Sequence, residues 1–137
     1  MILGTMNVWA VVGAAAAAFA AGALWHGPLF GKQWIKMMGW TAKDMKKMQL
    51  TPLQAMGMAA VVQLIVAGVL SKLFALTGVA SVGNALYVVF LLWLGVSAPL
   101  LFGSFLWENK SLKLWAFNAA YRLVELAVMA AVLGRWG

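Results

Sequence analysis

The stretch LKLWAFNAAYRLVELAVMAAVL, Leu112 to Leu133, carries Lys113 in its first turn and then no charge except Arg122 and Glu125, near its middle. Opposite charges three residues apart on a helix share a face, and each neutralises the other where water is scarce. The length suits a membrane-crossing helix. Its charged face must then point at protein or at a water-filled cavity, because lipid solvates neither group.

The rest of the chain agrees with that reading. Of its 137 residues 65% are hydrophobic and only 9% charged, and the mean hydropathy is +0.93. Soluble domains carry about a quarter charged residues. A water-soluble fold of this composition would expose apolar patches that promote association. The length fits one domain. Cysteine is absent, which excludes a disulfide framework and thiolate metal sites. Ten basic residues stand against Asp44, Glu108 and Glu125, for a formal charge of +7. The positive charge sits between hydrophobic spans, so anionic lipid headgroups are the expected partner and nucleic acid is not.

Four spans are expected, at about residues 7–26, 52–76, 84–107 and 112–133, which gives an all-α integral membrane four-helix bundle in a single domain, 1–137. Ala18-Phe19-Ala20 has a weak likeness to a signal-cleavage site. The first span still reads as a true span, since no positive charge precedes it and the apolar run is long. Thr51, Pro52 and Gln54 form a T-x-x-Q capping box with proline at the first helical position. Thr41 and Asp44 form a second box, so a short helix should begin near Ala42. Around it, about residues 32–50, lysines alternate with Trp34, Trp40, Met45 and Met48 as an amphipathic segment lying in the membrane interface.

Orientation follows from lysine and arginine counting. Lys32, Lys36, Lys43, Lys46, Lys47, Lys110 and Lys113 flank one side, against Lys72 and Arg135 on the other. The positive-inside rule places both basic loops in the cytoplasm and both termini outside. Trp25, Trp34, Trp40, Trp107 and Trp115 fall at the inner boundary, with Trp9 and Trp136 at the outer one. Trp93 lies inside the third span, where a packing role outweighs a cation–π contact with Arg122.

At 1.5 Å per residue, Gln63, Ser97 and Arg122 share a level near the midplane. Asn118, Tyr121, Arg122 and Glu125 follow an i, i+3, i+4, i+7 row on one face. Pro99 removes a backbone donor at the same depth. The expected polar cluster is therefore Gln63, Ser97, Asn118, Tyr121, Arg122 and Glu125. It reads either as a site for a small polar solute or ion, or as polar glue holding helices in register. His26 and Glu108 are the interfacial candidates and possible partners of each other. A lone histidine makes a poor metal site and has no nucleophile beside it in the sequence. No catalytic residue, metal site or cofactor is expected, and a lipid-acting enzyme is the least favoured class.

On the first span, Gly13, Ala17 and Ala21, and likewise Ala14, Ala18 and Gly22, form small-x-x-x-small rows that let backbones approach. Pro28-Leu-Phe-Gly31 is echoed by Leu100-Leu-Phe-Gly103, as a parallel repeat of two helical hairpins would produce.

The stretch Gly22-Ala-Leu-Trp-His-Gly-Pro-Leu-Phe-Gly-Lys-Gln-Trp34 resembles the hallmark of a bacterial family of small membrane proteins, the domain-of-unknown-function 1761 family. Leu112-Lys-Leu-Trp-Ala-Phe-Asn-Ala-Ala-Tyr-Arg-Leu-Val124 is similar to its fourth-span pattern, and the likeness covers nearly the whole chain. It implies four helices in a bacterial cytoplasmic membrane and brings no established activity. Where this chain has His26, the family pattern carries an aromatic, usually tyrosine, which argues against a family-wide catalytic histidine. The leading expectation is a small self-associating membrane protein, a homo-oligomer or part of a larger membrane complex, that binds or passes a small polar solute or ion at the midplane cluster. The alternative is an accessory or scaffold subunit whose cluster is purely structural.

Overall fold

A computed structural model describes residues 7–137. Four helices are long and apolar enough to cross a membrane: α1 (Val8–Leu29), α4 (Pro52–Thr77), α5 (Val82–Trp107) and α6 (Leu112–Trp136). Two short helices, α2 (Gly31–Met38) and α3 (Ala42–Lys46), lie between α1 and α4. No strand occurs among the described residues, so the chain is an all-α helical bundle of membrane type. Its outer surface is apolar, with Leu53 80% and Leu100 74% exposed. Water would not tolerate such a surface, whereas acyl chains would.

The helix starts follow local chemistry. Asn7 caps α1 by accepting from the backbone N–H groups of Trp9 and Ala10 at 3.1 and 3.3 Å. Both capping boxes form: Thr41 with Asp44 opens α3, and Thr51 with Gln54 opens α4. Ser111 caps α6 by accepting from the Leu114 N–H at 3.0 Å. At the far end of α4, Gly78 takes φ +72°, a left-handed conformation that closes the helix at little steric cost.

The helices stand side by side in the order α4, α1, α6, α5. Small residues at four-residue spacing let α1 approach α6: Ala14 and Ala18 are fully buried, and a Cβ added to Gly22 would come within 2.5 Å of the Tyr121 hydroxyl. The core continues through Ala67, Leu70 and Phe74 of α4, Ala85 and Val89 of α5, and Met129 and Ala130 of α6. Asn7 also ties the ends together, its Nδ2 donating to the Trp136 carbonyl at 2.7 Å. A parallel repeat would pair α4 with α5 as closely as α1 with α6. The structure lacks that pairing, and a groove lined by Ile65, Val66, Leu92 and Val96 separates α4 from α5.

Two helices are interrupted. The last turn of α1, Trp25–Leu29, is widened into a π-type turn, with Gly27 at φ −117°, ψ −106° and Pro28 inside it. Proline has no N–H to donate, so the helical ladder cannot continue through it. In α5 the segment Trp93–Ser97 is also π-type, just ahead of Pro99. Such a turn inserts a residue into the helix and rotates everything beyond it.

The α5–α6 hairpin is tightest where Gly134 passes the start of α5. A Cβ there would lie 2.8 Å from the Val82 Cα and 3.1 Å from the Ser81 carbonyl oxygen. Backbone cannot move aside as a side chain does, so Gly134→Ala should destabilise the fold by about 1–3 kcal/mol, the range for overpacked sites. Thermal unfolding in detergent measures this, and an unchanged midpoint would show that the hairpin has slack.

Outside the spans, Asp44 has its carboxyl held below the ordinary 3.8, chiefly by the hydrogen bond from the Thr41 backbone N–H, then by the Thr41 side chain. A lowered folded-state value means the box supports α3 above pH 3.8 and loses that support as pH falls through the lowered value. Hydrogen exchange at the Thr41 amide should accelerate beyond its intrinsic pH trend over that window. Unaltered protection well below it would mean the box does not depend on ionised Asp44.

Candidate functional site

Glu125 is the most deeply buried charged group, its side chain 5% exposed. A lone carboxylate at such a position is very costly, so its oxygens need donors. Three side chains converge on Oε2: Gln63 Nε2 at 2.7 Å, Tyr121 Oη at 2.8 Å and Arg122 Nη1 at 3.0 Å. Oε1 receives the same Arg122 nitrogen at 3.2 Å. Tyr121 and Arg122 precede Glu125 by four and three residues, which stacks them on its face of α6. Gln63 reaches across from α4, and it links two helices that otherwise touch little.

The pair is asymmetric. Arg122 is 45% exposed although its carboxylate partner is enclosed. Only Nη1 bonds to Glu125, which leaves Nε and Nη2 of a five-donor group without a partner among the described residues. The guanidinium also rests 5.1 Å from the centre of the Tyr121 ring. It opens onto a cleft of about 540 Å³ between α1, α4 and α6, also lined by Phe19, His26, Trp34, Met58, Val62 and Gln63. This volume is within the usual range for small-molecule pockets.

Gln63 contributes a further unbalanced group. Its Nε2 must face the carboxylate, since only that end of the amide donates. The carbonyl oxygen Oε1 is then buried without a partner, in a residue 6% exposed. Buried acceptors of this kind are uncommon in folded proteins.

His26 belongs to this cluster. Its Nδ1–H donates to the Gly22 carbonyl at 3.0 Å, a tautomer required because a carbonyl only accepts. Its ring meets Tyr121 edge-on at 4.6 Å and Trp34 at 4.7 Å. The expected pairing with Glu108 does not occur, for Glu108 is exposed at the end of α5 and forms no ion pair with any described residue. A spacing signal pointed to the observed place: Ala14, Ala18, Gly22 and His26 stand four apart, on the α1 face that meets α6.

Of the six expected cluster members, Gln63, Tyr121, Arg122 and Glu125 come together. Ser97 does not. It lies in the π-type turn Trp93–Ser97 and lines the groove between α4 and α5 beside Val66 and Leu126. Asn118 shares the helix face, three and four residues before Tyr121 and Arg122, but forms no side-chain hydrogen bond with any of these residues. Trp93 likewise makes no cation–π contact with Arg122. It donates from Nε1 to the Ala119 carbonyl at 2.7 Å, joining α5 to α6 while Arg122 faces the other way. Trp115 does the same toward the Ala98 carbonyl at 2.9 Å. Trp25, expected in the interfacial belt, turns inward against Phe117 and Tyr121.

Removing the carboxylate strands three donors at once. Glu125→Leu should therefore cost about 3–5 kcal/mol, as for breaking a buried pair from one side. Glu125→Gln keeps the shape and an acceptor and should cost less. Denaturation in mild detergent ranks the two variants, and equal stability would mean that the donors find other partners.

A family model described as "Protein of unknown function (DUF1761)" matches residues 9–134. No match was found among curated proteins or among solved structures.

Proposed function

We propose, from the premise that the chain belongs to the DUF1761 family, that it is a multi-pass membrane protein which binds, and in an assembled form passes, a small polar solute or ion at the Arg122 cleft. One observation carries the reading. Arg122 keeps unused donors on an open cleft, beside the buried and unpartnered Gln63 carbonyl. A purely structural pair would be expected to enclose both partners, since donors left facing an apolar medium are costly.

The setting proposed for this activity is a bacterial cytoplasmic membrane, with the basic α1–α4 and α5–α6 connections in the cytoplasm and both termini outside. There the lysines of α2 and α3 meet anionic headgroups, and the cleft opens toward that side, where Trp34 and Leu50 line it. A single four-helix unit has little room to enclose a continuous path. Passage would therefore need self-association or a larger complex. The proposal is for binding without catalysis.

A scaffold role is the second reading, and the tight donor set around Glu125 favours it. Arg122→Gln separates the two. As a binding site, the variant should stay folded and lose the thermal stabilisation that a panel of small carboxylates, amines and polyols gives the unaltered protein. Unfolding or disassembly of Arg122→Gln, with no panel member stabilising the parent, would establish the scaffold role instead.

A further inference from the structure

The two members of the ion pair are not equally available. Glu125 Oε2 already accepts from Gln63, Tyr121 and Arg122 and is enclosed, so a cation entering the cleft finds no free carboxylate. Arg122 is half-exposed and holds uncommitted N–H donors. The polar group offered to a ligand is thus a planar, always-charged donor suited to two-point recognition of a carboxylate. The surrounding walls are mostly apolar: Phe19, Ala59, Met58 and Val62 line the same cleft.

We infer that the cleft takes a small organic monoanion, its carboxylate on Arg122 and its apolar body along Phe19, Met58 and Val62. The inference rests on the binding reading above and names the ligand class of that site. Arg122 shares its charge with Glu125, so a ligand is held through the uncommitted N–H groups and each charge it brings is unbalanced in an apolar setting. A monoanion therefore suits the cleft better than a dianion such as inorganic phosphate. Size restricts the ligand too, since about 540 Å³ holds a compact molecule. Depth separates a soluble carboxylate from a membrane lipid. Arg122 lies ten residues into α6, about 15 Å from the helix start, whereas lipid headgroups stay at the membrane surface.

Thermal unfolding of the full chain in a non-ionic detergent tests this with hexanoate, acetate, hexylamine, hexanamide, oleate and inorganic phosphate. Hexanoate should raise the unfolding temperature most, with acetate weaker because it lacks the apolar body. Arg122→Gln should weaken hexanoate by about tenfold or more in apparent Kd, the size expected for losing a charge-assisted hydrogen bond. Ala59→Trp, at an exposed position on the cleft wall, should block hexanoate without touching the ion pair, so the test survives if Arg122→Gln does not fold. Stabilisation by hexylamine, hexanamide or phosphate in preference to hexanoate would overturn the ligand class and leave a binding site standing. A response to oleate alone would overturn the small soluble source in favour of a membrane lipid. No response to any of the six would overturn the ligand class and the binding reading together.

Discussion

A carboxylate buried inside an apolar helix bundle sets the terms for everything around it. Glu125 cannot stay charged in that position without donors, and its own helix supplies two, Tyr121 and Arg122, within one turn. The third comes from α4 through Gln63. That bond matters beyond its own strength, because α4 leans on α1 and has little other contact with α6. In a bilayer, helices gain nothing from hiding apolar surface from one another, so packing and polar links must hold them. The Gln63–Glu125 bond is such a link, and the Ala14–Ala18–Gly22 row supplies the packing.

The cleft arises from how α1 ends. Pro28 and Gly27 break the helix, and the chain turns into α2, whose Trp34 closes edge-on over His26. A straight α1 would carry Trp34 onward along the helix axis and leave the cleft without that side wall. The break and the small residues before it act together: close approach at Gly22 brings Tyr121 against α1, and departure after Gly27 opens space beside Arg122. The basic connection and the polar cluster thereby become two ends of one feature.

Much of this was legible from residue types and spacing. The long apolar helices and both capping boxes follow from local rules that tertiary context rarely overrides. The Tyr121, Arg122 and Glu125 face follows from helix periodicity, and depth arithmetic found Gln63. Depth arithmetic fixes a level and not a facing direction, so it could not tell that Ser97 turns to the groove between α4 and α5. The contact of His26 with Tyr121 follows from its four-residue spacing from Gly22, since a face committed to close packing upstream continues downstream until the helix breaks. The splay of α4 from α5 was not readable at all, because apolar helices give no pattern that says which neighbour each one chooses.

The order of the charges along α6 decides which of them a ligand meets. Glu125 is flanked by Leu126 and faces the core, where Met129 and Ala130 continue the buried stripe. Arg122 sits at the border of that stripe, its Nη1 bonded to the carboxylate and its side chain half-exposed. Exchanging the two residues would enclose the guanidinium, with five donors to satisfy instead of two oxygens, and present a carboxylate to the cleft. The packed interior offers few acceptors for five donors, the Gln63 carbonyl and the Tyr121 hydroxyl oxygen being the side-chain acceptors at hand. The arrangement found is therefore the one in which the buried charge can be satisfied internally, and the sign left facing outward follows from that requirement.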